Sequence, residues 1–589
     1  MGARATCKNA CRHNCRHAIC LILACVLAPL VLLCACSPPA NQNDASEQDQ
    51  PIDTSRFITA SDDIPDTVDF QCTSLYYTVA NNVFNRLVET EKDANGNARV
   101  VPSLAESWEV SSDGCSYTFH LRENVKFSNG SALTSSDVLY TFTRLLTHPN
   151  SCNKDIVGDI AGADKLERGE SDRLEGFAVL NDRDFTITLE HPFEAFLPCL
   201  SMSGASIMDE QTTEAAGEHF GADPEHTIGT GPFILKEWDH EKGMLLVANP
   251  GYFGDRPRCD GVDVRFITEP EEARALFKTG ELEILDLDEV PDYAEYYIHG
   301  DIYQEQLYRT QRIALSYVAL NESIAPLGDV RVRKALQLGL DRLTLLDAVY
   351  SGRGSLENGI FPRGLYGHNP NLPEIPYDPE QAKALLQEAG FSDGFALDMS
   401  VRSSSTRSEM TLARLIVDMW DQIGVNATIT VMEEDEFMDL RKKGQLACYT
   451  ATWTADYNDP DNFIHTFFGS RDNTTFRSLC YQRDDVMERV HAARAITDAG
   501  ERLAEYRALE QIIAQDDAAW IPLFSRERYY VMSKRVQGDP ALWNGTMRSA
   551  YYRLSVNGEG AGEAAGVSAG EAAGVSAGAS AGEPASKTS

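Results

Sequence analysis

Two hydrophobic patterns alternate along most of the chain. Apolar side chains occupy every second position in stretches such as 117–121, 262–266 and 425–431, which is typical of half-buried strands. They recur at spacings of three and four in stretches such as 138–145 and 382–389, which is typical of helices with one buried face. Strands that alternate with helices predict an α/β fold.

Two of the predicted helices carry their own start and stop signals. Thr134, with Asp137 three residues later, predicts an acidic form of the capping box. Asp378 is placed to cap a helix that begins with Pro379, whose fixed φ suits the first helical position. Gly390 then ends that helix, because glycine adopts the left-handed conformation without a steric penalty.

Four further elements are predicted from apolar spacing. Residues 104–108 read as a short helical turn and residues 67–70 as a short strand. Residues 75–87 carry an apolar side chain at every fourth position, which predicts a helix. Residues 329–350 predict one continuous helix with Asp329 as its N-cap.

The sequence Gly229-Thr230-Gly231-Pro232-Phe233 has the glycine spacing of a phosphate-binding loop. Such a loop needs a helix N-terminus directly after it, where free N–H groups meet the anion. The residues that follow predict a pair of strands instead. We therefore interpret these glycines as structural.

The first 35 residues predict a targeting segment. Four basic residues and no acidic one precede eighteen apolar residues, 18–35. Leu33-Cys34-Ala35-Cys36 resembles a bacterial lipobox, with Cys36 as the residue to be lipidated. The alternative is an uncleaved anchor helix, since eighteen residues are near the lower limit for crossing a bilayer. Both readings place the folded part outside the cytoplasm.

Composition adds two flanking segments and a strong negative charge. Residues 36–52 are polar and predict a flexible tether, and residues 557–589 repeat Gly, Ala, Ser and Glu and predict a disordered tail. The formal net charge is −37, or −41 without the four basic residues of the leader. This charge argues against nucleic acid and anionic membrane surfaces as partners.

Cysteine and histidine usage suggests neither a cofactor nor a metal. Seven of the fourteen cysteines lie in the leader and lipobox and seven follow it, without a CxxC pair or a Cys/His cluster at zinc spacing. An odd number of widely spread cysteines cannot all pair within one chain, and we predict no disulfide. Ten histidines outside the leader are scattered, with no pair at ligand spacing.

Several blocks resemble a known family when taken together and in order. They are LAESWEVSSDG, YTFHLRENVKFSNG and LTSSDVLYTF within 102–146, DVRVRKAL at 329–336, YDPE at 377–380 and IPL at 521–523. The chain resembles the extracellular solute-binding proteins of family 5, the lipoproteins that serve peptide-type ABC importers. The resemblance implies a two-lobed α/β fold of the periplasmic-binding-protein type (class II, cluster C) with an extra inserted domain.

The resemblance also implies domain bounds. Lobe I is discontinuous and carries the inserted domain, and lobe II is continuous. The predicted segments are 53–88, 201–305 and 521–556 for lobe I, 89–200 for the inserted domain and 306–520 for lobe II.

A second resemblance concerns the ligand. The run WTADYNDPDNF at 453–463 resembles the W-x-x-D-Y-x-D/E-P run of oligopeptide- and dipeptide-binding proteins, in which the first Asp accepts the ligand's α-ammonium group. Asp456 occupies that position, and its alternative role is that of a turn residue. The backbone of Thr452, Trp453 and Thr454 is expected to bind the peptide as an added strand. Trp453 forms either the wall of the cleft or part of the core.

The family pattern also directs attention to a loop of lobe I. Residues 71–74 are expected to face the ligand, which makes Cys72 and Ser74 candidates. The alternative is an ordinary strand-to-helix loop.

One departure from the family pattern affects the ligand's carboxylate. Oligopeptide binders that resemble this chain carry an Arg three residues before the Trp, where this sequence has Thr450. Arg402, Arg407 and Arg526 are the candidate substitutes.

The resemblance implies a monomeric, lipid-anchored, non-catalytic receptor that captures peptides and delivers them to an ABC permease. A different solute (a nickel chelate, haem or an oligosaccharide) is the first alternative. An exported peptidase is the remote alternative, since HExxH is absent and GxSxG occurs only within 557–589. Neither the length nor the sequence of the peptide is predicted.

Overall fold

The computed structural model describes residues 55–73, 76–93, 98–539, 545 and 550–556. All of the described residues belong to the compact unit Asp53–Ser589. The predictions for the leader, Cys36, the tether, the tail and Ser74 lie outside the described residues. No helix within the described ranges has the length and apolar character needed to cross a membrane.

The chain starts with one strand and one helix and then enters a region with two small sheets of its own. The elements up to residue 200 are β1 (Arg56–Ser61), α1 (Thr78–Val83), β2 (Val88–Lys92), β3 (Ala98–Pro102), β4 (Ala105–Val110), β5 (Ser116–Leu121), α2 (Ser135–Thr147), α3 (Ala163–Glu167), β6 (Phe177–Val179), β7 (Asp184–Thr188) and α4 (Phe196–Leu200). β2 pairs with β3, and β4, β5, β7 and β6 form a four-stranded sheet in that order. A hydrophobic core centred on Phe119, Phe142 and Phe185 lies in this region.

The next group of elements returns to the neighbourhood of β1. It consists of α5 (Glu210–Ala216), β8 (Phe233–Asp239), β9 (Gly243–Ala248), β10 (Gly261–Phe266), α6 (Pro270–Thr279), β11 (Ile284–Asp286), α7 (Ala294–Ile298) and β12 (Leu307–Gln311). β10 pairs parallel with β1 and antiparallel with β9.

The last group of elements alternates strands and helices. It consists of β13 (Ala314–Leu320), α8 (Val330–Leu338), α9 (Arg342–Tyr350), β14 (Gly354–Leu356), α10 (Pro379–Glu388), β15 (Phe395–Arg402), α11 (Arg407–Asp421), β16 (Val425–Met432), α12 (Glu434–Lys442), β17 (Cys448–Thr454), α13 (Asp461–Phe468), α14 (Arg471–Phe476), α15 (Asp484–Ala493), α16 (Ala499–Gln511), β18 (Trp520–Met532), β19 (Val536–Gln537) and β20 (Ser555–Val556). The α/β prediction is confirmed.

One twelve-stranded sheet runs through the molecule in two halves, which β18 joins. Its main order is β16-β15-β17-β13-β18-β11-β1-β10-β9-β8, and β12 and β14 also pair with β18. The first part of β18 pairs with β13 and β14, and from Glu527 onward it pairs with β12 and β11. We call β1 and β8–β12 the first half and β13–β17 the second half.

Predicted caps and strands are confirmed where the signal was local. The Thr134 N–H donates to Asp137 Oδ2 at 2.8 Å, and Asp378 caps α10 by accepting from the Gln381 N–H. The GTGPF segment leads into the antiparallel pair β8–β9. A Cβ at Gly229 would come within 2.1 Å of the Val83 carbonyl oxygen, which explains that glycine by close backbone approach.

Four pattern-based predictions are wrong. Residues 104–108 are not a helical turn, because from Ala105 onward they form the edge strand β4, in which Trp108 pairs with Phe119. Residues 67–70 form no strand, because Asp69 organises a turn and Val68 donates its N–H to the Gly221 carbonyl. The helix expected over 75–87 spans only α1, since the chain becomes extended at Phe84.

The fourth error concerns residues 329–350, which form two helices. Asp329 does cap the first, α8, but that helix ends at Gly339. Asp341 then accepts the Thr344 N–H and starts α9. Charged and apolar residues follow the same helical spacing in both helices. That spacing alone therefore did not show the break between α8 and α9.

Candidate functional site

The two halves of the sheet meet where the chain crosses between them at residues 312–313. On one side of this crossing, the Ala455 N–H donates to the Ile313 carbonyl at 2.8 Å. On the other side, the Arg312 N–H donates to the Arg526 carbonyl at 3.3 Å. The end of β17 and the middle of β18 therefore flank the crossing segment, about 10 Å apart as two interstrand spacings require.

The strand register determines which side chains share a face here. Thr454 is aligned with Ala314 on β13, and Thr452 with Ser316, which in turn is aligned with Phe524 on β18. Because side chains alternate along a strand, Thr452, Thr454 and Arg526 belong to one face of the sheet and Trp453 to the other.

Asp456 lies just beyond β17, in a turn held by Asn462. The Asp456 N–H donates to Asn462 Oδ1 at 3.0 Å, and Asp456 Oδ2 accepts from Asn462 Nδ2 at 3.2 Å. The Trp453 indole N–H also donates to Asn462 Oδ1, at 3.2 Å. One buried amide thus fixes the backbone and one carboxylate oxygen of Asp456.

Trp453 packs toward the core of the second half. Its ring meets Phe467 edge-on with a centroid distance of 5.2 Å, and the Arg477 guanidinium lies 4.8 Å above it. Both contacts lie on the face opposite Thr452. Its backbone role toward a ligand stays a prediction.

Replacing Asn462 with alanine tests this turn. The Trp453 indole and the Asp456 N–H lose their acceptor, so we expect the free energy of unfolding to fall by about 1–3 kcal/mol. We also expect weaker ligand binding, because Asp456 is no longer positioned. Trp453→Phe is the matched control, since it removes only one of the three hydrogen bonds. Urea denaturation and calorimetric titration measure both effects, and equal losses in the two variants would contradict this role of Asn462.

The Asp456 carboxylate acts electrostatically on Tyr77, which directly precedes α1. Burial, together with the negative charge of Asp456, raises the pKa of the Tyr77 hydroxyl to about 12, although the hydrogen bond to Asn153 acts to lower it. Tyr77 donates to the Thr73 carbonyl at 2.8 Å and lies 3.3 Å from Asn153 Oδ1. The Asp456 carboxylate is therefore within electrostatic reach of residues that pack on the first half.

A cavity of about 340 Å³ lies near the same crossing and is lined from both halves. Three of the predicted residues line it, namely Thr452, Arg407 and Arg526. The other lining residues are Leu287, Asp288, Pro291, Asp292, Glu295, Ala348, Val349, Tyr350, Ser351, Arg353, Thr406, Ser408, Glu409, Thr411 and Glu527. Asp456 is not among them.

Among the three predicted arginines, Arg526 is the one for which the described part of the chain shows no ion pair. Its guanidinium stacks on the Tyr350 ring at 4.7 Å, and within the described ranges it forms no ion pair. The neighbouring Asp288 is already paired with Arg312 at 3.0 Å. Burial acts to raise the pKa of Asp288, but Arg312 and Arg526 outweigh it, and that pKa lies below its usual value.

The other two candidate arginines are engaged elsewhere. Arg402 lies 3.6 Å from Glu409 and 3.4 Å from Glu434, and it does not line the cavity. Arg407 lies on the cavity rim, 83 % exposed, with Asp292 at 3.5 Å. Of the three, Arg526 has the geometry that suits a ligand carboxylate.

Comparison with known proteins decides the family. The model of the bacterial extracellular solute-binding proteins, family 5 (middle), matches residues 99–475. The chain belongs to this family. The prediction of family 5 is therefore confirmed.

Two curated relatives and one solved structure are each similar to most of this chain. "Heme-binding protein A" of Haemophilus influenzae is 28 % identical over 90 % of this chain and 98 % of its own length. "Dipeptide-binding protein" of Escherichia coli is 29 % identical over 77 % and 86 %. The structure of HbpA2 from Haemophilus parasuis aligns with a TM-score of 0.70 and 27 % identity over 85 % of this chain and 100 % of that one. The predicted two-lobed family 5 fold is confirmed.

The remaining predicted positions are placed as follows. Thr450 lies inside β17, aligned with Val318 on β13. The Cys72 thiol is 3.3 Å from His148 Nδ1, next to the end of α2. Sequence reasoning assigned no role to Asn462 or Tyr77, although Asn462 stands in the run that singled out Asp456.

Proposed function

We propose that this protein is the substrate-binding component of an ABC importer. It captures short peptides between its two halves and passes them to a membrane permease. The observation that carries the proposal is the position of a carboxylate, Asp456, and of a guanidinium without an ion pair in the described ranges, Arg526, on opposite sides of one chain crossing. Membership of family 5 and the relative named for dipeptide binding support the same ligand class.

The two charged groups match the two ends of a peptide. An α-ammonium group is a cation with three donors, and a partly shielded carboxylate gives it short, charge-assisted hydrogen bonds. A carboxylate end suits the two parallel N–H groups of a guanidinium. The backbone separation of about 10 Å corresponds to an extended chain of about three residues at 3.3–3.6 Å each.

The peptide backbone is held by β17. The pairing of β15 with β17 covers only Met399 with Cys448 and Ser400 with Tyr449. On that side, Thr450–Thr454 has no partner strand among the described residues. The first residue of the peptide binds to this edge through main-chain hydrogen bonds, which accept different side chains, and the rest of the peptide crosses toward Arg526.

Calorimetric titration with one tripeptide in four forms tests the proposal. The forms are the free peptide, its N-acetyl derivative, its C-terminal amide and the doubly blocked peptide. We expect the free peptide to bind best, each single block to weaken binding, and all peptides to be recovered uncleaved. Equal binding of all four forms, or cleavage of the peptide, would overturn the proposal.

Haem is the second candidate ligand, because one relative, aligned with this chain over 98 % of that relative's length, is named for haem binding. Among the residues that line the cavity between the halves, Tyr350 is the one of an iron-ligating type, and it already carries the stacked Arg526. Absorbance titration with haemin distinguishes the two ligands. A saturable shift of the Soret band that tripeptide does not displace would favour haem.

The receptor is anchored outside the cytoplasm by a lipid on Cys36. The lipobox-like sequence before Cys36 and the family's extracellular character support this localisation. Cys36→Ala moves the protein from the membrane fraction to the soluble fraction if the anchor is lipid. If the variant stays in the membrane fraction, the apolar leader is itself the anchor.

A further inference from the structure

Two cysteines distant in sequence lie in contacting segments, one of them, Cys72, in the loop predicted to face the ligand. Cys72 follows the turn organised by Asp69, and Cys152 lies shortly after α2. The Cys152 thiol is 3.5 Å from the Cys72 carbonyl oxygen. Both are free thiols in this structure.

Hydrogen bonds on either side hold the two segments in register. The Cys152 N–H donates to the Gln71 carbonyl at 2.8 Å. The Asn153 side-chain amide donates to the carbonyls of Phe70 at 3.2 Å and Thr73 at 3.1 Å. The Cys152 N–H thus bonds to the residue before Cys72 while its thiol reaches the Cys72 carbonyl, which keeps the two cysteines in adjacent segments, as a disulfide with Cα atoms about 4.4–6.8 Å apart requires.

A histidine is placed to take the proton from one of the thiols. His148 Nδ1 is 3.3 Å from the Cys72 thiol and accepts the Asn150 N–H, also at 3.3 Å. Since Nδ1 accepts from the backbone, it is the unprotonated ring nitrogen, and the Cys72 thiol can donate to it or to the nearby Asp69 carboxylate. Burial and the nearby Arg144 lower the pKa of His148, so the ring is neutral at neutral pH.

The two thiols differ in accessibility. Cys152 is exposed. Burial, followed by the charge of Asp69, raises the pKa of Cys72 to about 12. The exposed thiol therefore meets an external disulfide first, and the shielded one needs a base before it can react.

We infer that Cys72 and Cys152 are a reversible disulfide pair, with His148 as the base that activates Cys72. The Cys152 thiolate attacks one sulfur of a small-molecule disulfide, and that disulfide's other half leaves as a thiolate. Cys72 passes its proton to His148 and attacks the Cys152 sulfur, which expels the second small thiolate. The protein loses two thiol protons and two electrons, and the small disulfide is reduced to two thiols.

The Cys72–Cys152 disulfide links the turn that precedes Tyr77 covalently to the segment that contains Asn153. Those two side chains already touch, with the Tyr77 hydroxyl 3.3 Å from Asn153 Oδ1. The cross-link therefore fixes the support of the tyrosine on which the Asp456 charge acts. An extracytoplasmic protein meets oxidising conditions, in which such a bond persists.

The test uses the purified full chain, first reduced and then exposed to oxidised glutathione. Free thiols are blocked with N-ethylmaleimide before proteolysis, and the peptides are identified by mass spectrometry. We expect one peptide pair that links Cys72 with Cys152, without retained glutathione. Cys152→Ser abolishes the link and leaves Cys72 free to be labelled, whereas the matched control Cys115→Ser keeps it.

The role of His148 has a separate readout. In His148→Gln the first exchange is unchanged, but closure of the disulfide slows by about 10²-fold, the lower limit for a positioned general base. The mixed disulfide on Cys152 therefore accumulates in this variant. A stable mixed disulfide on Cys152 in the unaltered protein, or both cysteines still fully labelled after oxidation, would refute the pair.

Discussion

Replacing Asp456 with asparagine weakens binding of peptides that have a free amino terminus by about 30- to 150-fold, which corresponds to about 2–3 kcal/mol. The reason is that the amide keeps the shape of the side chain but loses the charge that the ligand's ammonium group requires. N-acetylated peptides bind weakly to both proteins, and the substitution barely changes their affinity. Calorimetric titration of both peptides against both proteins gives the four affinities needed for this comparison.

The matched control for this substitution is Asp435→Asn. Asp435 is exposed on α12, away from the crossing, and its loss changes the net charge by the same amount. We expect it to leave the affinity for free peptides unchanged. If Asp456→Asn weakens free and acetylated peptides equally, Asp456 is a turn residue held by Asn462 and does not bind the ammonium group.

Arg526→Gln has the second large effect, at the other end of the ligand. We expect peptides with a free carboxylate to bind about 10- to 150-fold more weakly, because hydrogen bonds to a charged group contribute about 1.5–3 kcal/mol. The C-terminal amide of the same peptide loses little affinity. Competition of both peptide forms against a fluorescent ligand measures the difference.

The chain offers two controls for Arg526. Arg402→Gln and Arg407→Gln remove the same charge from arginines that pair with Glu434 and Asp292. We expect each to change affinity less than threefold, about the size of a surface ion pair. A larger loss in Arg407→Gln than in Arg526→Gln would move the carboxylate site to the rim of the cavity.

The two effects also test each other. Asp456 and Arg526 lie on opposite sides of the crossing segment and share no partner among the hydrogen bonds described. Their effects on a free tripeptide are therefore expected to add, as they do for independent sites. Strong coupling between the two substitutions would mean that one of them disturbs the crossing itself.

Local sequence signals predicted the elements that depend on neighbouring residues. Thr134 with Asp137, and Asp378 with Pro379, specify their helices because the capping atoms lie within one turn of each other. The strand over 117–121 was predictable since its alternation reflects one buried face. Family resemblance then supplied the fold that the local signals could not.

The errors arose where distant contacts decide the structure. Residues 104–108 have helix-like spacing, but pairing with β5 makes them a strand. The turn at Asp69 depends on a distant residue, because the Asp69 carboxylate also forms an ion pair with Arg144 at 2.7 Å. The site shows the same limit: the run 453–463 pointed to Asp456, but no local pattern separates Arg526 from Arg402 and Arg407. That distinction depends on which carboxylates lie nearby in the folded chain.

The central claim is that a peptide lies between the halves, with its amino end at Asp456 and its carboxylate at Arg526. Native mass spectrometry of the protein purified without denaturation tests it most directly, with tandem fragmentation of whatever co-purifies. We expect the unaltered protein to carry short peptides with both ends free, and the double variant Asp456→Asn/Arg526→Gln to emerge empty. Haem on the unaltered protein, or the same peptides retained at equal occupancy by the double variant, would contradict the claim.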